Sequence, residues 1–269
     1  MKSFAQFIVY SNILISTGAG LLSSGVAFSF KITNYYSYFW FVFGATLFVY
    51  NAQRIFRLQE LTGTLSKRHQ WIIRQKKTVS LLSFTGLATA LFWFIRDFID
   101  IKSLIFITVF GVISVLYSFK LKPNLPALRE LPFLKIHFVA LTWTATCALF
   151  PVLHLPFFSD WHLIIAFYAY FIAITIPFDI RDLPYDKSFQ KTIPQVLGKG
   201  KAIALAVASL FFSFIILFVY QRGLLVQPIF YMAYLYQLIF IFLSFKQRSE
   251  MFYSAGIDGG IILLGLSFY

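Results

Sequence analysis

Residues 202–220 read AIALAVASLFFSFIILFVY, nineteen consecutive positions without a charged side chain. An α-helix rises about 1.5 Å per residue, so about 20 apolar residues cross the roughly 30 Å hydrocarbon core of a bilayer. Working outward from this stretch, eight others of similar character appear: 4–29, 36–53, 78–95, 102–119, 133–151, 161–178, 224–245 and 251–268. Hydrophobic residues make up 59% of the chain and charged residues 12%, whereas an ordinary soluble domain carries about 25% charge. Water therefore cannot be the solvent of most of this surface. The expected fold class is all-α, a polytopic membrane protein of about nine transmembrane helices, with residues 1–269 forming one domain.

Orientation follows from Lys and Arg in the short connections, because these resist translocation. With the N-terminus and the loops after even-numbered stretches on one side, that side holds Lys2, the run from Arg54 to Lys77, Lys120 to Lys135, Arg181 to Lys201, and Lys246 with Arg248. The other side holds only Lys31, Arg96, Lys102 and Arg222. The N-terminus and the basic loops are expected in the cytoplasm, with the C-terminus outside, as in a bacterial inner membrane. The first stretch has a Lys ahead of it like a secretory signal, but it is too long and lacks a small-residue cleavage site. It is expected to be a retained helix. The net charge of +13 lies in loops at one membrane face, which suits anionic lipid or a phosphorylated substrate rather than nucleic acid. Cys147 is the only cysteine, so no disulfide framework or cysteine metal site is available.

The longest connections, 54–77, 120–132 and 179–201, carry nearly all polar residues able to perform chemistry, so a site should open toward the cytoplasm. Phe occurs 35 times and Tyr 15 times. Such rings serve as lipid-facing and interfacial side chains; an aromatic-walled cavity for a hydrocarbon or a carbocation is the alternative.

The strongest local signal is Phe178-Asp179-Ile180-Arg181-Asp182-Leu183-Pro184-Tyr185-Asp186-Lys187. Asp179, Asp182 and Asp186 fall at i, i+3 and i+7, along one helix face. Like charges so placed repel unless a cation sits among them, and oxygen ligands of this kind suit Mg²⁺ shared with substrate phosphates. A solvated polar helix end is the alternative, since Pro184 could break the helix. The chain continues Lys191-Thr192-Ile193-Pro194-Gln195-Val196-Leu197-Gly198.

This run, Asp-x-x-Asp-x-x-x-Asp followed by Lys-Thr-x-Pro and Leu-Gly, closely resembles the second acidic motif of membrane-embedded UbiA-type prenyltransferases. The resemblance implies nine helices around a central cavity, a cytoplasmic catalytic face, and Mg²⁺ held by Asp179, Asp182 and Asp186 against a prenyl diphosphate. It also implies roles for Tyr117 and Lys120, which resemble the family's Tyr and following basic residue at the diphosphate end. Lys187 and Lys191 fall beside the acids as further phosphate-side charges. Asp258, in Asp258-Gly259-Gly260, resembles an Asp-Gly of the family's last helix; an acid two turns into a span is costly unless paired or hydrated, so it should face the interior.

The first acidic motif departs from the pattern. The family carries Asn-Asp-x-x-Asp-x-x-x-Asp after the second helix, whereas Ala52, Ile55 and Gln59 stand at the acidic positions here and only Asn51 remains. Asn51, Arg54 and Arg57 recur every three residues, and Arg binds phosphate bidentately without a metal, so Arg54 or Arg57 is expected to replace one Mg²⁺. The alternative role for these arginines is anchoring at lipid headgroups. The expected activity is transfer of an isoprenyl group to an aromatic, quinone-type or other lipid acceptor. Members of the family that use a carboxylated aromatic acid generally offer an Arg in the first helix, whereas the first stretch here has Ser11-Asn12 and no basic residue beyond Lys2, so the resemblance argues against a hydroxybenzoate-type acceptor. A membrane terpene cyclase, a non-catalytic isoprenoid-binding descendant and, last, a transporter are the other classes compatible with the chain.

Overall fold

A computed structural model describes residues 2–58, 67–119, 127–155, 160–184 and 190–269. The described residues form helices only. In chain order these are α1 (Lys2–Tyr10), α2 (Ile13–Ser29), α3 (Tyr35–Arg57), α4 (Lys67–Arg74), α5 (Lys76–Asp97), α6 (Ile101–Ser118), α7 (Leu134–Thr144), α8 (Trp161–Asp182), α9 (Ile193–Tyr220), α10 (Pro228–Leu243) and α11 (Asp258–Leu266). One π-helical turn, Ala145–Leu149, continues α7, and another, Phe252–Ile257, leads into α11. Each of the nine apolar stretches lies on helix. Four helices, α5, α6, α8 and α9, are long and apolar enough to cross a membrane by themselves, and α1 with α2 forms a bent fifth. Three apolar segments are shorter: Leu134–Leu149, Pro228–Leu243 and Phe252–Leu266. The protein is thus an all-α integral membrane protein.

The expectation of one continuous helix over 4–29 is corrected by a 59° bend between Phe4–Tyr10 and Ile13–Ser29. Asn12 causes it by adopting φ 65°, a left-handed conformation that Asn tolerates better than most residues. A break exposes carbonyls that have lost helical partners, and buried carbonyls must find others. Here the Asn51 side chain donates to Ser11 O at 3.0 Å and Arg68 donates to Val9 O at 3.3 Å. α9 also breaks, at Gly198, whose φ of 78° and ψ of 161° no other residue type adopts readily. Before it, the backbone N–H of Thr192 donates to Gln195 Oε1 at 3.0 Å, which secures the helix start.

α8 is the central helix. Phe167, Tyr170, Phe171, Ile176 and Ile180 are all buried along it. By contrast α5, α6 and α9 present large apolar side chains outward, among them Phe84, Ile95, Ile105, Phe211 and Val219, as a lipid-facing surface requires. Helices gain little from hydrophobic association within lipid and depend on close packing of small residues. The α3–α5 crossing shows this: a Cβ on Gly44 would stand 2.7 Å from Gly86 O, and one on Gly86 would stand 2.8 Å from Gly44 O.

Candidate functional site at the Asp179 end of the bundle

Asp179 and Asp182 close α8 and share a face, as their spacing predicts. Asp179 is buried, and Lys135 on the first turn of α7 places its Nζ 2.8 Å from Asp179 Oδ1. Phe133, at φ 61°, ends the preceding turn, and its backbone N–H donates to Gln190 O at 3.3 Å. The start of α7 is thereby tied to the connection after α8. Asp182 is held by its sequence neighbour: Arg181 donates from Nε to Oδ1 at 2.7 Å and from Nη2 to Oδ2 at 2.9 Å. This is the planar, bidentate arrangement that guanidinium and carboxylate favour. Arg181 also lies over the rings of Phe178 and Tyr253, 5.0 and 5.8 Å from their centroids, and Gln247 donates to its carbonyl at 3.2 Å. The acidic end of α8 is therefore joined to the polar segment preceding the last helix. Asp186 and Lys187 lie outside the described residues, as does Lys120.

A second group meets the first from α4. Arg68 donates through Nη2 to Asn12 Oδ1 at 2.8 Å and through Nη1 to Ser254 Oγ at 3.1 Å, while its backbone N–H donates to Glu250 at 3.1 Å. Its guanidinium rests 5.7 Å from the Tyr10 ring centroid, and its Nε is buried without a hydrogen-bond partner among the described residues. Burial first, and then the like charge of Arg181, draws the Arg68 guanidinium down to about 10, with Asp258 and Glu250 acting the other way. It remains cationic at neutral pH. Asn12 Nδ2 in turn donates to Asn51 Oδ1 at 2.6 Å.

Asp258 opens α11 directly after the π-helical turn and is buried, as expected of an intramembrane acid. The charges of both Arg68 and Arg181 act on it. Tyr117, near the end of α6, feels the charges of Lys135, Asp179, Arg57 and Arg129. Beneath this polar group the Trp143 indole donates to Tyr50 Oη at 3.1 Å, and Trp143 stacks obliquely on Phe171 with centroids 5.3 Å apart.

The structure thus brings together Asp179, Asp182, Asp258, Tyr117 and, through Asn12, Asn51. The expected phosphate face of Asn51, Arg54 and Arg57 is divided. Asn51 is fully buried and spends both ends of its amide on the α1–α2 break. Arg57 is exposed, although its charge reaches Asp182 and Tyr117. Arg54 is half-buried. Lys191 is exposed, at φ 45°. Sequence reading missed Lys135, Arg68, Asn12, Tyr50 and Trp143 as members. In the sequence Lys135 and Arg68 read only as charges of the basic connections, and their place in a helical first turn is the signal that separates them from the rest.

Mg²⁺, which the resemblance implies, would need open carboxylate oxygens in this donor set. Among the described residues no three of His, Cys, Asp and Glu stand together, and the two described acids of the motif, Asp179 and Asp182, already hold a cationic side chain. As arranged, they do not fit the role of open metal ligands. Two apolar surface hollows lie elsewhere. One, lined by Phe28, Ile32 and Tyr35, is at the opposite end of α2 from Asn12. The other, of about 190 Å³, lies between α9 and α10.

No protein-family profile, curated protein or solved structure matches the chain. What its own geometry defines is an all-α integral membrane protein with a compact charged group at one end of an apolar bundle.

Proposed function

We propose that this protein is a divergent UbiA-type membrane prenyltransferase, which joins an isoprenyl group from a prenyl diphosphate to a hydrophobic acceptor such as a quinone precursor or another lipid. The observation that carries this reading is the convergence of Lys135, Arg181 and Arg68 with Asp179, Asp182, Asp258 and Tyr117 where the apolar helices end. A substrate with a multiply charged head and a long hydrocarbon tail needs a basic, hydrogen-bonding group placed at the rim of an apolar bundle.

In this reading the nine helical stretches span the membrane with the basic loops in the cytoplasm. The diphosphate head lies among the three basic side chains, and the tail lies between helices. The C1–O bond of the prenyl diphosphate breaks, and its electron pair leaves with the diphosphate. Fixed cations aimed at that developing charge lower the barrier. Tyr117 donates a hydrogen bond to the departing oxygen. The faces of Tyr50, Trp143 and Phe171 shelter the allylic cation. The acceptor forms its new bond to C1, and its displaced proton goes out with the diphosphate.

A second reading has an observation of its own. Because Asp179 and Asp182 are already neutralised, a non-catalytic isoprenoid-binding descendant also fits. A terpene cyclase would differ from a transferase in needing no acceptor. The deciding experiment supplies purified protein with a panel of prenyl diphosphates, with and without acceptors, and follows diphosphate release. Turnover with an acceptor supports the transferase. If no donor reacts and Asp182→Ala leaves cellular function intact, the enzymatic reading fails.

A further inference from the structure

The acids of α8 are conspicuous for what already surrounds them. The Asp179 side chain is 2% exposed and that of Lys135 is 18% exposed, with 2.8 Å between Oδ1 and Nζ. A buried carboxylate next to an ammonium is compensated where it stands, whereas either charge alone would be costly there. A divalent ion brought to Asp179 would have to displace that ammonium or sit beside it in a medium that screens repulsion poorly. Asp182 gives the same picture by a different geometry, since Arg181 occupies both of its oxygens. Arg181 in turn is fixed by the rings of Phe178 and Tyr253. A guanidinium carries five N–H donors, and Asp182 engages those on two of its three nitrogens. The two pairs come from different elements, α7 with α8 in one case and neighbouring residues of α8 in the other, yet both end with a cation where a metal-binding acid would present open oxygens.

We propose that Lys135 and Arg181 are resident counter-cations that stand in for divalent metal at Asp179 and Asp182, and that an anionic diphosphate head is received directly by these basic side chains. The proposal rests on the prenyl diphosphate reading for the class of ligand. The acids then act as positioning residues: they hold the two cations in place and do not gather metal. The resident cations replace the metal on the α8 side, and on the α3 side Ala52 and Ile55 supply no metal ligand.

The test uses the full-length protein in lipid nanodiscs, Mn²⁺ as a spectroscopically visible divalent ion, and inorganic pyrophosphate as the anion. Pyrophosphate is expected to bind in EDTA, and Mn²⁺ alone is expected not to bind at millimolar concentration. Lys135→Gln should weaken pyrophosphate about tenfold or more, the scale of one lost charged hydrogen bond, and should give the freed Asp179 a new Mn²⁺ affinity. If Lys135→Gln does not fold, Lys135→Arg keeps the charge and should keep metal-free pyrophosphate binding. Binding of Mn²⁺ to the unmodified protein that disappears in Asp179→Asn would overturn the proposal, as would pyrophosphate binding that requires Mg²⁺. Turnover of prenyl diphosphates, measured in parallel, separates the two readings. Metal-free pyrophosphate binding without turnover removes the enzyme and leaves the resident cations. Turnover by a protein that binds Mn²⁺ does the reverse.

Discussion

Asn12 and Asn51 face each other across two helices, with Nδ2 of the first 2.6 Å from Oδ1 of the second. The bond sits where α1 turns into α2, and Asn51 Nδ2 closes the same break by donating to Ser11 O. Replacing Asn51 by Ala leaves a buried donor and a buried carbonyl unmatched. A loss of about 1–3 kcal/mol per unsatisfied group is expected, read as a lower unfolding temperature in detergent. Asn51→Ala with unchanged stability would show that the α1–α2 bend is held by other contacts.

Arg68 joins α4 to the α1–α2 break and to Ser254. Lys at this position would keep the charge but could not reach all three acceptors at once. Arg68→Lys is therefore expected to retain measurable diphosphate binding while lowering stability, and Arg68→Ala to lose both. Paired measurements of thermal unfolding and pyrophosphate affinity check this. Equal binding by both variants would remove Arg68 from the ligand's neighbourhood.

Tyr117 lies within the field of Lys135 and Asp179. If its hydroxyl assists the leaving oxygen, Tyr117→Phe should cut the rate of diphosphate release by about a hundredfold or more. Affinity for inorganic pyrophosphate should change far less. A variant whose affinity falls as much as its rate would make Tyr117 a binding group only.

Gly44 and Gly86 allow α3 and α5 to touch through backbone atoms. A methyl group on Gly44 would lie 2.7 Å from Ala90 N and from Gly86 O, and backbone atoms of two packed helices cannot step aside as a side chain can. Gly44→Ala should destabilise by about 1–3 kcal/mol, seen in unfolding temperature and yield of folded protein. A neutral result would mean that the two helices separate without cost.

His69 on α4 supplies a pH dependence. Burial, ahead of the nearby Arg57, Arg68 and Arg181, holds its imidazole below the ordinary 6.5, while Glu250 pulls in the other direction. An unfolded chain takes up this proton as the pH drops through about 6.5, and the folded protein does so only at lower pH. Stability is thus fully present above 6.5 and declines as the pH falls from 6.5 through the folded-state value. Unfolding temperature measured from pH 7.5 to 5 should show that decline, and His69→Gln should flatten it.

Much of the helical framework was legible because uninterrupted apolar runs leave the backbone no other way to satisfy its hydrogen bonds in lipid. The breaks were harder to read. Asn12 interrupts a stretch whose hydropathy is continuous, since hydropathy registers side-chain character and is blind to φ, and Gly198 breaks α9 within the basic connection ahead of the apolar run 202–220. The spacing of Asp179 and Asp182 gave their common face correctly. Their partners stayed hidden because Lys135 comes from an element 44 residues earlier, and only tertiary packing brings it there. The three-residue spacing of Asn51, Arg54 and Arg57 placed them together by helical geometry alone. Near the end of α3, however, what the neighbours offer changes within two turns, from the buried α1–α2 break beside Asn51 to an exposed position at Arg57.

The pairing at the end of α8 has a consequence for the molecule as an electrical object. Lys135, Arg68 and Arg181 are matched there by Asp179, Asp182 and Asp258, so this part of the interior is close to neutral. The chain has only ten acidic residues against 23 basic ones. With three of its acids committed to that interior, nearly the whole surplus of +13 is left to side chains outside it. Anionic lipid headgroups would meet a surface more uniformly cationic than the composition alone suggests, and a diphosphate-bearing lipid would be drawn to the surface before it reached the site.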